Sequence, residues 1–154
     1  MLFKDFNIKK YLNKQPPSDN SDQTKKEIIE LTKIPIRENF VKEMDDGQKV
    51  FEKIVGKDSV IKKIINDSDT VIDKLKKHFN RPRPKVLAKK FNIKMDDLEL
   101  DTMKTPAYPS GHSIQAYLLG LYLSDKYPNK KNKLMKAARD ISYSRRVARA
   151  HYLS

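Results

Sequence analysis

Thr105-Pro106-Ala107-Tyr108-Pro109-Ser110-Gly111-His112 spends one of the chain's four glycines and one of its three histidines in adjacent positions. It runs straight into an apolar pattern, Ile114, Tyr117, Leu118, Leu121 and Tyr122. Those positions follow an i, i+3, i+4, i+7, i+8 spacing, which predicts a helix with that stripe facing the core and a stop near Tyr127-Pro128-Asn129. A Pro-Ser-Gly turn ending in His places unpaired amides, a hydroxyl and a titratable ring at the positive end of a helix, where anions bind. Taken alone, the same residues also describe an ordinary N-cap followed by a half-exposed histidine.

Working outward, every other patterned stretch is helical too. Ser21 to Lys33 has Thr24 and Glu27 at capping-box spacing and ends at Pro35. Glu38 to Val55 keeps a helical period but is split at Gly47, within Asp45-Asp46-Gly47. Asp58 or Ser59 caps a short apolar helix, and Asn66-Asp67-Ser68-Asp69 caps another that carries Val71, Ile72, Leu75 and Phe79. A short helix is expected at Val86 to Lys90, followed by an irregular acidic piece from Met95 to Asp101. From Lys131 a last helix places Leu134, Ala138, Ile141, Ala148 and His151 on one stripe, with Ser144 on the same face as Ala148 and His151. No stretch alternates with period two, so the expected class is all-α. The expected organisation is an N-terminal arm with a Pro-rich linker over residues 1–20 and one helical domain over 21–154. The arm carries Phe3, Phe6, Ile8, Tyr11 and Leu12 among lysines, a pattern that fits a short helix lying on the domain or an arm reaching a partner.

Composition narrows the function. The formal net charge of +13 over 154 residues points to an anionic partner or to a solvated lysine-rich surface, since the lysines are spread along the chain. With no cysteine there is no disulfide framework and no thiolate metal site. The first residues lack an apolar signal region, and the longest apolar run, Ala116 to Leu123, is too short to span a bilayer. These features make a soluble, cytoplasmic protein the expectation, with membrane contact only peripheral.

Two further clusters match the first in chemistry. Lys76-Lys77-His78-Phe79-Asn80-Arg81-Pro82-Arg83-Pro84 ends a helix in cations and holds two arginines extended before prolines, which suits bidentate phosphate binding or, read plainly, a basic C-cap and a turn. Ser144-Arg145-Arg146-Val147-Ala148-Arg149-Ala150-His151 brings cations next to a histidine on an apolar face. That serine and histidine either satisfy each other in the core or line a polar pocket.

Together the three clusters resemble the tripartite signature of the type 2 phosphatidic acid phosphatase superfamily, whose soluble branch includes bacterial class A acid phosphatases and vanadium haloperoxidases. The signature is Lys, six residues, Arg-Pro; then Pro-Ser-Gly-His; then Ser-Arg, five residues, His, three residues, Asp. Lys76 with Arg83-Pro84, Pro109 to His112, and Ser144-Arg145 with His151 match it in order. Lys74 with Arg81-Pro82 also fits the first spacing. The later register is preferred because Phe79 and Arg81 then fall where soluble relatives carry an aromatic residue and an extra Arg.

The resemblance implies a helical bundle of the acid phosphatase and haloperoxidase type, and metal-independent hydrolysis of a phosphate ester or diphosphate through a phosphohistidine. It assigns His151 as nucleophile and His112 as general acid. Lys76, Arg83, Ser110, the Gly111 amide and Arg145 become the phosphate-binding set. It implies no cofactor and no metal, with phosphate or vanadate able to occupy the site, and a phosphorylated small molecule as the partner. The signature's last Asp would be residue 155, so the chain is expected to be a C-terminally shortened piece in which the carboxylate that orients His151 is missing. His78 has no assigned part and is expected at the surface. Two alternatives stand beside this reading: a vanadate-dependent haloperoxidase built on the same pocket, and a non-enzymatic basic nucleic-acid-binding module. Against the module, the chain shows no aromatic–basic interleaving and no helix-turn-helix or zinc motif.

Overall fold

Caps and prolines set most helix boundaries in the computed structural model, which describes residues 2–154; Met1, at the start of the expected arm, lies outside the described residues. Helix α1, Asp22–Lys33, starts where the Ser21 hydroxyl accepts the Thr24 amide at 3.1 Å. The cap is therefore Ser21, while Thr24 lies inside the helix and donates its own hydroxyl to the Ser18 carbonyl at 2.6 Å. Helices α2, Glu38–Asp45, and α3, Gly47–Val55, separate at Asp46, whose carboxylate accepts the Lys49 amide, so the expected split at Gly47 is present. Helix α4 is Ser59–Phe79, α5 is Pro84–Lys90 with proline at its first position, α6 is Gly111–Lys126 and α7 is Lys131–Val147. Three short 3₁₀ turns lie at Ile8–Tyr11, Asp101–Met103 and Pro128–Lys130. No strand occurs among the described residues, so the fold is all-α. None of these helices is long and apolar enough to cross a membrane.

Two sequence expectations change here. Ser59 to Phe79 is one continuous helix, not two, because the cap-forming side chains in its middle have other partners. Asp67 accepts Lys63 at 3.1 Å and the Leu2 amide at 2.8 Å, Ser68 returns its hydroxyl to the Ile65 carbonyl, and Asp69 accepts Gln115 at 2.7 Å. With no side chain competing for helix amides, Ile61, Ile64, Ser68, Ile72 and Leu75 stay on one buried face. The second change is the face that α6 buries. Ala116, Leu119, Gly120 and Leu123 point inward, whereas Tyr117, Leu121 and Tyr122 are exposed. The reason is close approach to α7, the most extensive helix contact in the molecule. A Cβ on Gly120 would lie 3.2 Å from the Ala138 Cβ and 3.3 Å from the Met135 sulfur, so only a small-residue face fits that distance.

The main core joins α3, α4, α6 and α7 through Phe51, Ile61, Ile64, Leu119, Leu134 and Ile141. A second cluster, including Ile28, Leu31, Leu87, Ala107 and Tyr152, joins α1 and α5 to the chain's last residues. Residues 2–14 lie against α4: His78 bonds the Leu12 carbonyl at 2.9 Å from an exposed position, and the Tyr108 hydroxyl donates to the Lys14 carbonyl at 3.0 Å. The segment thus packs on the helices, with only a single 3₁₀ turn.

The choice of α6 face is testable with two leucines one turn-half apart. Leu119 is 1% exposed and Leu121 58%. Leu119→Ala should cost about 2–5 kcal/mol of unfolding free energy in urea titration, and Leu121→Ala no more than about 0.5 kcal/mol. The reverse order would restore the stripe read from the sequence.

Candidate active site

The site forms where α4, α5, α6 and α7 end or begin close together. Lys76 comes from the last turn of α4, Arg83 from the residue just before α5, Ser110 and Gly111 from the start of α6, and Arg145 from the last turn of α7. The Ser110 hydroxyl caps α6 by accepting the Ser113 amide at 3.2 Å. Gly111 sits against α4, where an added Cβ would be 3.3 Å from Ile72 and 4.0 Å from the Lys76 Cε.

His151 does not lie on α7, which corrects the expected stripe. The helix ends at Val147, Arg149 adopts a left-handed φ of 59°, and the Ala150 and His151 amides both return to the Arg145 carbonyl, at 2.9 and 3.3 Å. Arg149 holds this reversal by donating to the carbonyls of Asp96, Thr32 and Ile34. Three carbonyl partners offset the cost of the unusual backbone that a further helical turn would have avoided. Ser144 stays behind in the core and donates to the Ile141 carbonyl, so it does not pair with His151.

The chain reversal delivers His151, buried, into the cationic cluster. Its Nδ1 lies 2.6 Å from the Ala107 carbonyl and its Nε2 lies 3.0 Å from Arg83 Nη1. A carbonyl only accepts and a guanidinium only donates, so the partners select one tautomer: Nδ1 carries the proton and Nε2 the lone pair. Burial first, then the charges of Arg83, Arg145 and Lys76, hold the imidazole's pKa well below its ordinary value. The ring is therefore neutral well into acidic solution.

Arg83 is the tie of the site. It donates from Nε to the Thr105 carbonyl at 2.8 Å, from Nη1 to the Ala150 carbonyl at 2.9 Å, and from Nη2 to the Thr102 carbonyl and the Thr105 hydroxyl at 3.2 and 3.3 Å. Lys76 shares that hydroxyl, donating to it at 2.8 Å. Lys76 is the buried lysine of its pair and Lys74 is exposed, which favours the later register. Desolvation and the neighbouring Arg83 and Arg145 push the Lys76 ammonium down to about 8, and desolvation with Arg145 pushes Arg83 down to about 10. Arg145 is 1% exposed and donates to Asp45 at 3.0 Å and to Thr102 Oγ1 at 3.1 Å. A pocket of about 270 Å³ opens beside these groups and is lined by Ser110, Ser113, Ser142, Arg145 and His151 among others.

His112 stands one step aside. It lines a neighbouring cavity of about 360 Å³, where Nε2 meets the Asp45 carboxylate at 3.2 Å and the Asp45 carbonyl at 2.9 Å. Arg81 is not a pocket residue either. It lies under the chain's last residues, 3.6 Å from the Tyr152 ring centre and 3.8 Å from Glu27, and its carbonyl accepts the Ala107 amide at 2.8 Å. Asp45, Thr102, Thr105 and the Ala107 carbonyl went unnoticed in the sequence as contributors. Thr105 and Ala107 stand inside the opening stretch, whereas Asp45 looks there like part of a helix break and nothing else.

The geometry can hold a compact, multiply charged oxyanion, because three cations lie out of water and the Asp45 carboxylate is paired to Arg145. A family model described as the PAP2 superfamily matches residues 63–154, which include every one of the phosphate-binding and histidine positions named above. The non-specific acid phosphatase of Salmonella typhimurium is 34% identical over 79 residues, 51% of this chain and 31% of that protein. The match therefore spans under a third of that relative's length. No solved structure matches the chain.

A depressed ammonium gives the site a signed pH response. Lys76 is charged below about 8 and loses its charge as pH rises through that value. Sulfate, which does not titrate in this range, should bind more weakly above about 8 in calorimetry. Lys76→Met should bind it roughly 10-fold more weakly at neutral pH and show no such step.

Proposed function

The chain belongs to the PAP2 superfamily, and from that premise we propose that it hydrolyses a phosphate ester or diphosphate of a small molecule, without a metal, through a phosphohistidine on His151. The observation that carries the reading is a neutral imidazole whose unprotonated Nε2 lies among buried cations. Nucleophilic attack needs a lone pair, and a cationic ring would have none to offer.

The Nε2 lone pair forms a bond to phosphorus while the phosphorus–oxygen ester bond breaks. The departing electron pair stays on the leaving oxygen, which takes a proton from His112. Lys76, Arg83 and Arg145, with the Ser110 hydroxyl and the Gly111 amide at the start of α6, take up charge on the three equatorial oxygens. Phosphoryl transfer is catalysed chiefly by such positioning and charge stabilisation, which a metal-free cationic set can supply. Arg83 already bonds acceptors from each of its nitrogens, and Nη1 also donates to His151 Nε2, so an arriving phosphoryl oxygen takes over that Nη1 donor and frees the Nε2 lone pair to attack. Water then attacks phosphorus, the phosphorus–nitrogen bond returns its electrons to Nε2, and His112 receives the water proton. The Ala107 carbonyl keeps Nδ1 protonated throughout, and the positive charge that develops on His151 is balanced by the bound phosphoryl oxygens.

Reactions with radiolabelled substrate quenched in alkaline detergent should trap a base-stable, acid-labile phosphoryl group on the chain, and His151→Ala should carry none. The same variant should lose roughly 10⁴-fold in kcat/KM. Turnover should persist in EDTA. A trapped group on another residue, or none with active protein, would overturn the mechanism. Because burial and the three cations lower the His151 pKa, the acid limb of kcat/KM should fall well below the ordinary imidazole range.

A further inference from the structure

The two histidines of the site are tied by opposite kinds of acceptor. His151 donates from Nδ1 to a neutral carbonyl, which selects a tautomer, and burial with the three cations outweighs the small preference for charge that this bond brings. His112 gives its Nε2 proton to Asp45, a carboxylate that the His112 hydrogen bond and the nearby charges of His112 and Arg145 hold below the usual range against the opposing effect of burial. A general acid needs a nitrogen that faces away from its anchoring partner to carry a proton toward the leaving group, and the Asp45 contact at Nε2 leaves Nδ1 for that task. The charged groups near His112 are Asp45 and Asp46 where α2 meets α3, which line the same cavity, and Arg145 on α7, which shares the Asp45 carboxylate; of these Asp45 bonds to it.

The same Asp45 oxygen that meets His112 also accepts Arg145 Nη1 and the Thr102 hydroxyl. Arg145 is nearly inaccessible to water, so an empty pocket without a counter-charge would leave a buried, unpaired guanidinium, at large cost. Asp45 is itself half-exposed, with a side chain 30% accessible, and can rehydrate if Arg145 is drawn away.

We propose that Asp45 is a positioning residue with two linked tasks. It holds His112 by Nε2 so that Nδ1 is the nitrogen that gives up the proton, and it serves as the placeholder anion of Arg145 until a phosphoryl group takes its place. This rests on the phosphatase reading for its first task, while the second concerns anion binding alone. The carboxylate reaches the site from a helix 100 residues before Arg145 and 67 before His112, so it is a contact made by the tertiary fold.

The test is Asp45→Asn in the full chain, with inorganic phosphate in calorimetry and two esters in turnover. Removing the competing anion should tighten phosphate binding by about 3- to 10-fold. Losing the orienting charge should lower kcat at least about 10-fold more for an alkyl phosphate than for 4-nitrophenyl phosphate, whose leaving group needs no acid. The extra loss should vanish in a His112→Ala background. Asp45→Glu, which keeps the charge, should restore phosphate affinity toward the native value and serves as the second variant if Asn does not fold. Weaker phosphate binding in Asp45→Asn, or equal slowing of both esters, would mark Asp45 as merely structural and overturn the proposal. If the native chain binds phosphate but forms no phosphohistidine, the mechanism under Proposed function fails on its own, and the binding comparison still decides the placeholder role.

Discussion

Three cationic side chains held out of water around a neutral imidazole are the constraint on which the rest of the site depends. Burial depresses the readiness of all three to be charged, Arg145 adds to this for Arg83 and Lys76, Arg83 adds to it for Lys76, and all three depress the protonation of His151. Such a cluster persists because oxygen atoms surround it: the carbonyls of Thr102, Thr105 and Ala150, the hydroxyls of Thr102 and Thr105, and a single carboxylate, Asp45, on Arg145. These oxygens satisfy most of the donors, leaving the buried Arg145 Nε without a partner, and one carboxylate does not cancel three cations. The field stays positive, and a dianion can exploit it.

The same arginine chemistry closes the fold around the site. Arg83 joins the 102–105 segment to Ala150, Arg149 joins the chain reversal after α7 to the end of α1, and Arg81 lies under Tyr152 against Glu27. Glu27 in turn accepts the Ser154 amide and hydroxyl. Guanidinium groups are suited to this because each presents donors in several fixed directions and remains charged when buried. The residues that hold His151 in place are thus mostly not those that would meet the phosphoryl group. A defect in Arg149 or Glu27 would reach the chemistry only through the position of that ring.

Near the site, local sequence was a good guide wherever the controlling interaction was itself local. Ser110 caps α6, Pro84 begins α5, Gly47 marks the α2–α3 break, and the absence of period-two patterning is matched by an all-helical chain. It misled where two interactions competed. Asn66 to Asp69 has the composition of a cap, yet Asp67 bonds to Lys63 and the Leu2 amide, Asp69 bonds to Gln115, and the helix continues. The large apolar residues of α6 form the more hydrophobic stripe, yet the helix buries Ala116, Leu119 and Gly120 because α7 approaches too closely for bulk on that side.

By itself the sequence determined the helical class and the order of the three charged clusters, since each depends on short-range spacing and residue chemistry, and the resemblance those clusters carry implied which side chains gather around His151. The tertiary structure decided how those side chains meet. It turned the chain after Val147 so that His151 leaves the helix, supplied the Ala107 carbonyl that sets its tautomer, and brought Asp45 to His112 and Arg145. The physical reason is one of range. Caps and helical periods act within a few residues and leave a mark in the sequence. Carbonyl and carboxylate partners drawn from distant segments are chosen by packing, and one acidic residue looks the same in sequence whether it faces solvent or a buried guanidinium.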